Sequence, residues 1–288
     1  MRIVHPKNVT TTHPTKVLAI FDLDKTIINT SASLAYGRPL AERGLITTTE
    51  VIRMIAIRSS FMLTTHDQED LNATKEALAS MIKGREAEPL KTVAREALHD
   101  VIIPYIYAEA HELLEWHREQ GHTIAIVTAS PSVVVEPIAE ELGADILIAS
   151  ELEVEDGLFT GNVTLFNKGV TKVHHIQDIA GEHGFDLSQS YAYSDSGTDV
   201  PMLELVGHPT AVNPDRALKK VAAEREWPIV NFRRPEPITQ SNVAVLAGAG
   251  ATLAILGAVA TSVTLWLFNR DSSSSDGSGQ ADVTPDAA

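Results

Sequence analysis

The chain contains no cysteine among its 288 residues. Disulfide bonds, thiolate metal sites and cysteine nucleophiles are therefore excluded. This composition fits a reducing compartment without proving one. No N-terminal signal peptide is expected either, because residues 1–14 lack an apolar stretch and read as a flexible polar arm.

Positive charge is scarce in this chain. Lys and Arg number 23 against 38 Asp and Glu, which gives a formal net charge of −15. Clustered cations are what hold a nucleic-acid backbone, so the chain is not expected to bind nucleic acid. The same acidity means that a phosphorylated substrate must be met by a local cation or by a metal ion.

Short apolar runs alternate with amphipathic stretches along most of the chain. The run at 17–21 is continuously apolar and ends in acidic residues, which is typical of a strand buried on both faces of a parallel sheet. This alternation predicts an α/β fold, a Rossmann-like doubly wound parallel sheet. The predicted strands are 17–21, 123–127, 145–149, 191–193, 210–212 and 229–230, and the predicted helices are 107–120, 132–142, 171–183 and 214–225.

Two segments depart from the alternation. Residues 152–166 read as a hairpin, because Asp156 and Gly157 separate two β-rich arms. Residues 30–106 read as a helical insertion that forms a cap, with helical segments around 38–63, 67–83 and 87–100. The catalytic core would then consist of residues 15–29 and 107–232.

Four groups of polar residues follow or flank the predicted strands. The carboxyl ends of parallel strands share one edge of a sheet, where ligands bind, so these groups are expected to converge. Carboxylates crowded at such an edge are costly without a cation, and Mg²⁺ prefers oxygen ligands. The groups are Asp22 and Asp24 after the first strand, Thr128 after the second, Lys172 at the start of a helix, and Asp195 and Asp199 after the fourth strand.

The chemistry of these residue types favours phosphoryl transfer. An ionised aspartate such as Asp22 can attack phosphorus and form an aspartyl-phosphate. A carboxylate two residues later can protonate the leaving oxygen and then activate water. The Thr128 hydroxyl and the Lys172 ammonium would hold the non-bridging oxygens, where negative charge must be stabilised.

The pattern Asp22-x-Asp24-x-Thr26, Thr128, Lys172 and Ser194-Asp195-(x)3-Asp199 resembles the four motifs of the haloacid dehalogenase superfamily of phosphohydrolases. The strings FDLDKT, SDSGTDVPML and NPDRAL are similar to its subfamily IB, the phosphoserine phosphatase-like branch, and the likeness spans about 16–231. It implies a Mg²⁺ cofactor and a cap that selects the substrate. It also implies that Asp22 is the nucleophile and a metal ligand, Asp24 the general acid/base and a metal ligand through its carbonyl, Thr128 and Lys172 phosphate-binding residues, Asp195 a metal ligand, and Asp199 a residue that orients the metal's ligands.

Some interpretations stay open at this stage. Phosphoserine phosphatases usually carry a glutamate nine residues after the nucleophile to hold the substrate ammonium, and here that position is Ser31. Lys168 competes with Lys172 for the phosphate role, and Thr128 could simply end its strand. The histidine pairs His111/His117 and His174/His175 invite a metal interpretation, although surface or helix-packing roles are favoured because neither pair has an evident further ligand cluster.

Residues 243–268 carry no charge over 26 residues, more than the roughly 20 that a helix needs to cross a bilayer. We expect one transmembrane helix here, after a linker at 233–242 and before a disordered tail at 269–288; a buried core helix is the alternative. Arg233 and Arg234 precede the run, which predicts a cytoplasmic catalytic domain. Small residues at four-residue spacing would allow a homodimer through this helix, and lipid-facing small residues without a dimer are the equal alternative.

The sequence therefore predicts a Mg²⁺-dependent phosphomonoester hydrolase held to a membrane. Within this class the substrate is either a small polar phosphate such as phosphoserine or a lipid-linked phosphate such as lysophosphatidate or phosphatidylglycerophosphate. Transfer of the phosphoryl group to an alcohol other than water is a further alternative. A membrane-tethered binding protein without turnover is the alternative from another class.

Overall fold

The computed structural model describes residues 16–47, 49, 50, 52 and 80–233. Within them lies a seven-stranded sheet of order β4-β3-β2-β1-β5-β6-β7, in which only the β3–β4 pair is antiparallel. The strands are β1 Leu18–Phe21, β2 Thr123–Pro131, β3 Ile146–Glu155, β4 Leu158–Leu165, β5 Tyr191–Ser194, β6 His208–Val212 and β7 Ile229–Val230.

Helices connect the parallel strands. The helix after the hairpin begins at Val170 and ends at His183, and it is capped by Gly184, whose left-handed backbone (φ 71°) suits a glycine that terminates a helix. The helices are α1 Ala32–Ala35, α2 Gly37–Glu42, α3 Ala87–Val101, α4 Ala108–Glu119, α5 Ser132–Glu141, α6 Val170–His183, α7 Val200–Leu203 and α8 Arg216–Glu224, with single 3₁₀ turns at Ile103–Tyr105 and Gly197–Asp199.

The sheet is covered on both faces, as the apolar run of β1 predicts. Ala19 and Phe21 belong to one buried cluster, whereas Leu18 and Ile20 belong to another. Successive side chains of a strand point to opposite faces, so each cluster fills one side of the sheet. The predicted doubly wound α/β fold is therefore confirmed.

The predicted hairpin is present, but its first arm is part of β3. That strand continues from Ile146 to Glu155 instead of ending at residue 149, and it pairs with β4 across a turn at Asp156 and Gly157. Both turn residues have positive φ, 50° and 81°, which Asp and Gly tolerate better than other residues. The second strand likewise runs four residues beyond its predicted end at 127.

The insertion differs in part from its prediction. Of the helical segments predicted around 38–63, α2 covers Gly37–Glu42, a turn follows in which Gly44 has φ +70°, and residues 49, 50 and 52 are helical. The segment 87–100 is confirmed by α3, which packs against α5 of the core. Residues 67–79 of the other predicted helix lie outside the described residues, and the division into core and cap stays a prediction.

In the described part of the chain, no helix is long and apolar enough to span a membrane. The predicted span at 243–268 lies outside the described residues. The predicted arm at 1–14, the tail at 269–288 and all of the linker except Arg233 also lie outside them.

Candidate active site

Three neighbouring strands bring the predicted carboxylates and the threonine to one edge of the sheet. β1 lies between β2 and β5, and all three are parallel. Asp22 follows β1 directly, Thr128 lies in the second half of β2, and Asp195 follows β5. The Asp22 N–H donates to the Tyr193 carbonyl at 3.0 Å, which extends the β1–β5 ladder to the predicted nucleophile.

A buried ion-pair network joins Asp22, the predicted nucleophile, to residues of two other motifs. The Lys172 ammonium donates to Asp22 Oδ1 at 2.7 Å and to Asp199 Oδ2 at 2.8 Å, and only 2% of the Lys172 side chain is exposed. The Ser194 hydroxyl donates to the same Asp199 oxygen at 2.8 Å. Lys172 reaches this point because α6 begins at the same edge of the sheet, after Gly169 with φ 58°.

The site holds more negative charge than its lysine offsets. Burial, reinforced by Asp199 and Asp24, raises the pKa of Asp22 to about 7 even though Lys172 lowers it. Burial, together with Asp22 and Asp199, raises the pKa of Asp195 to about 8. Burial disfavours the Lys172 cation, but Asp199 and Asp22 outweigh it and raise the pKa of that lysine above its usual range.

These residues fit a divalent cation. Burial and neighbouring carboxylates raise the pKa values of Asp22 and Asp195 despite the contact of Lys172 with Asp22, and a cation would offset this negative charge. The donor set is made of oxygen atoms, as Mg²⁺ prefers. In the part of the chain that the structure describes, no group of three His, Cys, Asp or Glu side chains could hold a metal. The predicted set uses two carboxylates, Asp22 and Asp195, with the Asp24 carbonyl.

Thr128 is buried beside Asn167, a residue that the sequence argument missed. The Asn167 side chain donates from Nδ2 to the Thr128 carbonyl at 3.0 Å and to the Ile148 carbonyl at 2.8 Å. It thus ties β2 to β3 at the point where the predicted phosphate-binding threonine lies. Its Oδ1 is buried without a hydrogen-bond partner. A lone asparagine after a strand carries no distinctive signal in a single sequence.

Asp24 lies two residues after Asp22, ahead of the insertion, and accepts three hydrogen bonds. The Ala32 N–H donates to Oδ1 at 2.9 Å, and the Ser31 and Ser130 hydroxyls donate to Oδ2 at 2.9 and 3.2 Å. Ser31 and Ser130 were not expected to make these contacts. The only sequence signal was that Ser31 occupies the position of an expected glutamate.

The buried histidine of the predicted pairs lies away from these carboxylates. His117 is fully buried on α4, where Nε2 lies 2.9 Å from the Tyr193 hydroxyl and Nδ1 lies 2.8 Å from Nδ1 of His122. Its helix-packing role is confirmed. His174 is exposed on α6, as expected of a surface histidine.

Comparison with known proteins places this geometry in a family. The family model described as haloacid dehalogenase-like hydrolase matches residues 19–204. The chain belongs to the haloacid dehalogenase-like hydrolase family. Within the matched range lie all the predicted site residues, from Asp22 to Asp199.

Relatives of this haloacid dehalogenase-like hydrolase extend over most of its length. It is 41% identical over 260 residues to an "inhibition of morphological differentiation protein" of Streptomyces azureus, which covers 88% of this chain and 94% of the relative. It is 33% identical over 243 residues to a phosphoserine phosphatase of Mycobacterium tuberculosis (strain ATCC 25618 / H37Rv), covering 83% and 79% respectively. The predictions of a phosphoserine phosphatase-like family member and of a phosphoric monoester hydrolase are confirmed.

A solved structure shows the same fold. A phospho-aspartyl intermediate analogue of phosphoserine phosphatase superposes with a TM-score of 0.56 at 21% identity, and the match covers 81% of this chain and 99% of that one. At this level of identity the likeness concerns the architecture of the haloacid dehalogenase-like hydrolase, and the roles of individual residues must be argued from the site itself.

Proposed function

We propose that this phosphatase is Mg²⁺-dependent and hydrolyses phosphomonoesters through an aspartyl-phosphate formed on Asp22. The observation that carries the proposal is the buried contact of Lys172 with Asp22 and Asp199, at 2.7 and 2.8 Å. Such a contact holds a carboxylate oxygen in one orientation beside a cation that can also meet a phosphoryl group.

The reaction would proceed in two displacements. An Asp22 carboxylate oxygen attacks phosphorus, the bond from phosphorus to the ester oxygen breaks, and Asp24 donates a proton to the departing oxygen. In the second step Asp24 takes a proton from water, whose oxygen attacks the same phosphorus. The acyl phosphate bond breaks, inorganic phosphate leaves, and Asp22 is regenerated as a carboxylate.

The neighbouring residues would hold the phosphoryl group and its charge. The Lys172 ammonium would offset the negative charge of the non-bridging oxygens. Asp199 holds that lysine in place, and the Ser194 hydroxyl in turn donates to Asp199. The Thr128 hydroxyl would donate to another phosphoryl oxygen. Asp22, Asp195 and the Asp24 carbonyl would hold Mg²⁺, which supplies charge neutralisation and polarises the phosphoryl group when bound.

Replacement of the nucleophile tests this mechanism directly. Asp22→Asn in the full chain should reduce Mg²⁺-dependent phosphate release from p-nitrophenyl phosphate to background, because an amide does not form the acyl phosphate. Asp178→Asn is the matched control, since Asp178 is exposed on α6. Turnover by Asp22→Asn at the rate of the control variant would refute the proposal.

A second candidate concerns the substrate, namely a membrane-borne phosphomonoester such as a lipid-linked phosphate. The observation that favours it is the position of residues 231–233 at the end of β7. β7 is parallel to β6, so the segment after it emerges at the edge that carries Asp22 and Asp195. There the Asn213 side chain donates to the Phe232 carbonyl at 3.1 Å, and the Phe232 ring packs on Tyr107.

The uncharged run starts ten residues after Arg233, at residue 243. Ten extended residues reach at most about 35 Å. If the run spans a membrane, as we propose from its length, Arg233 at the active-site edge lies within that distance of the cytoplasmic lipid surface. Ser31 is neutral and stands where phosphoserine phosphatases carry a glutamate that binds the substrate ammonium. The chain therefore lacks, at this position, one group that would favour phosphoserine.

Vesicles decide between the two substrate classes. The full chain reconstituted in phosphatidylcholine vesicles should release phosphate faster from lysophosphatidate or phosphatidylglycerophosphate than from phosphoserine, compared at equal bulk concentration. A preference for phosphoserine in this assay would favour the small polar substrate. It would leave the chemistry at Asp22 unaffected.

A further inference from the structure

Asp24 is held by two buried serine hydroxyls that come from different parts of the chain. Ser31 lies at the start of the insertion, nine residues after Asp22, and Ser130 lies near the end of β2. Their hydroxyls donate to the same oxygen, Oδ2, at 2.9 and 3.2 Å, and both side chains are buried. Since Ala32 N–H occupies Oδ1, the carboxylate is fixed from three directions.

The ordinary role of Ser31 would be to cap a helix. It does occupy the N-cap position of α1, with an extended backbone at φ −101° and ψ 128°. A capping serine accepts a hydrogen bond from a backbone N–H in the first turn. The Ser31 side chain makes no such bond, and its hydroxyl points to Asp24 instead.

Ser130 contacts the predicted phosphate-binding threonine through its backbone, and its side chain is free of that contact. Its backbone N–H donates to Thr128 Oγ1 at 3.1 Å, which orders the loop around the predicted phosphate-binding threonine. The hydroxyl is separate from that contact and reaches Asp24, with the Ser33 hydroxyl 3.4 Å away. The serines thus link the first turn of the insertion to β2 through the Asp24 carboxylate.

We propose that Ser31 and Ser130 are positioning residues that hold the Asp24 carboxyl group where it meets the leaving-group oxygen. This inference rests on the proposed function, in which Asp24 is the proton donor. The Ser31 hydroxyl is then used on the enzyme's own acid and not on a charged group of the substrate. The insertion acts on the chemical step through this contact, in addition to any contact with the substrate.

Leaving groups of different basicity separate this role from a structural one. An alkoxide leaving from an alkyl phosphate needs a proton as the bond to phosphorus breaks, whereas p-nitrophenolate is a stable anion at neutral pH. Loss of the positioned acid should therefore affect alkyl esters selectively. The parameter to compare is kcat/KM, because it covers the steps up to departure of the leaving group and is unaffected by later hydrolysis of the aspartyl-phosphate.

The experiment compares Ser31→Ala, Ser130→Ala and the double variant of the full chain with Mg²⁺. For the best of ethyl phosphate, phosphoserine and lysophosphatidate, kcat/KM should fall about tenfold in each single variant and about a hundredfold in the double one. For p-nitrophenyl phosphate, kcat/KM should change by less than about twofold in the same variants. Ser31→Thr should restore the alkyl-ester rate, because its hydroxyl can still donate to Asp24.

Ser132→Ala is the matched control, since the Ser132 hydroxyl bonds the exposed Glu151 carboxylate at 2.8 Å. Ser31→Cys keeps nearly the same shape with a weaker donor, and it replaces Ser31→Ala if that variant does not fold.

Equal losses on both ester types, or no loss on either, would overturn the inference and leave the proposed function intact. A wild-type chain that uses p-nitrophenyl phosphate but no alkyl phosphate, lysophosphatidate included, would also overturn it, because no acid-dependent step would exist. Failure of the proposed function is distinguished by Asp22→Asn retaining its activity.

Discussion

The Lys172 ammonium lies 2.7 Å from Asp22 Oδ1, and the two residues are 150 positions apart in the chain. Their contact is buried, and Asp199 shares the same ammonium at 2.8 Å. Because one lysine serves two carboxylates, its removal would leave two acidic groups in a buried place without their cation. Under the proposed mechanism, the contact would therefore serve both the stability of the fold and the phosphoryl chemistry.

Lys172→Met should therefore affect both properties. Removing one partner of a buried ion pair costs about 3–5 kcal/mol of unfolding free energy. Phosphate release should fall by about 10²–10³-fold, because a charge-stabilising donor is lost. Urea denaturation and an assay with p-nitrophenyl phosphate measure the two effects. Lys219→Met, at an exposed position on α8, is the control. Unchanged stability in Lys172→Met would contradict the structural role.

Removal of the metal tests the proposed cation site. The full chain treated with a chelator and then freed of it should release no phosphate until Mg²⁺ is added back. Asp195→Asn should raise the Mg²⁺ concentration for half-maximal activity by at least about tenfold, because a ligand carboxylate is lost. Asp178→Asn should leave that concentration unchanged. Full activity in the presence of chelator would show that no exchangeable divalent ion is required.

Parts of this site could be predicted because their sequence patterns are local. Asp22, Thr128 and Asp195 lie next to apolar runs that form neighbouring parallel strands, so the sheet rule alone brings them to one edge. The order of the strands in the sheet could not be predicted from any single segment of the sequence. It depends on which apolar faces pack together over the whole core, and single-segment patterns do not carry that information.

The contacts made by Asn167, Ser31 and Ser130 could not be predicted for a related reason. Each is a common polar residue in a loop or at the end of an element, where capping and turn roles are the ordinary expectation. Their partners are distant in sequence, 39 residues for Asn167 to Thr128 and 106 for Ser130 to Asp24. Only the folded arrangement shows that they bond site residues. The turn at Gly44 was similarly hidden inside an amphipathic pattern that continues past it.

Asn167→Ala should destabilise the protein through the strands that carry Thr128. The variant leaves the Thr128 and Ile148 carbonyls without the buried donor that both now share. Each unsatisfied buried group costs about 1–3 kcal/mol, so the unfolding free energy should fall by at least about 2 kcal/mol. Asn162→Ala is the control on the same hairpin, because its side-chain bond to Glu153 is exposed. Equal urea midpoints for the two variants would contradict the prediction.

His117 predicts how stability depends on pH. Burial, aided by His122, lowers the pKa of His117 from 6.5 to about 3. Below pH 6.5 the unfolded chain therefore takes up a proton on this histidine that the folded chain does not. Because protonation favours the unfolded chain, the free energy of unfolding decreases as pH falls from 6.5 towards 3. Over that range the loss is about 1.4 kcal/mol per pH unit.

The matched comparison uses His117→Gln and His174→Gln. Unfolding free energies should be measured between pH 7.5 and 5. The gap, meaning the difference in unfolding free energy between wild type and His117→Gln, should narrow as pH falls, because only the wild type loses stability through this histidine. The gap for His174→Gln should stay constant, since His174 is exposed. A gap for His117→Gln that is independent of pH would show that this histidine is not kept neutral by the fold.

The position of Phe232 beside Asn213 predicts which edge of the sheet would face the lipid if the run at 243–268 spans a membrane, as proposed. Because the sequence contains no cysteine, a single introduced cysteine can be labelled without background. Val170, 57% exposed at the start of α6, lies at the active-site edge, and the exposed Gln189 precedes β5 at the opposite edge. In the full chain inserted in vesicles, energy transfer from a fluorophore at Val170→Cys to a labelled lipid should exceed that from Gln189→Cys. The two edges are separated by roughly the length of a five-residue strand, about 17 Å, which energy transfer resolves. Equal or reversed transfer would mean that the active-site edge does not face the membrane, and the lipid-linked substrate would then lose its structural support.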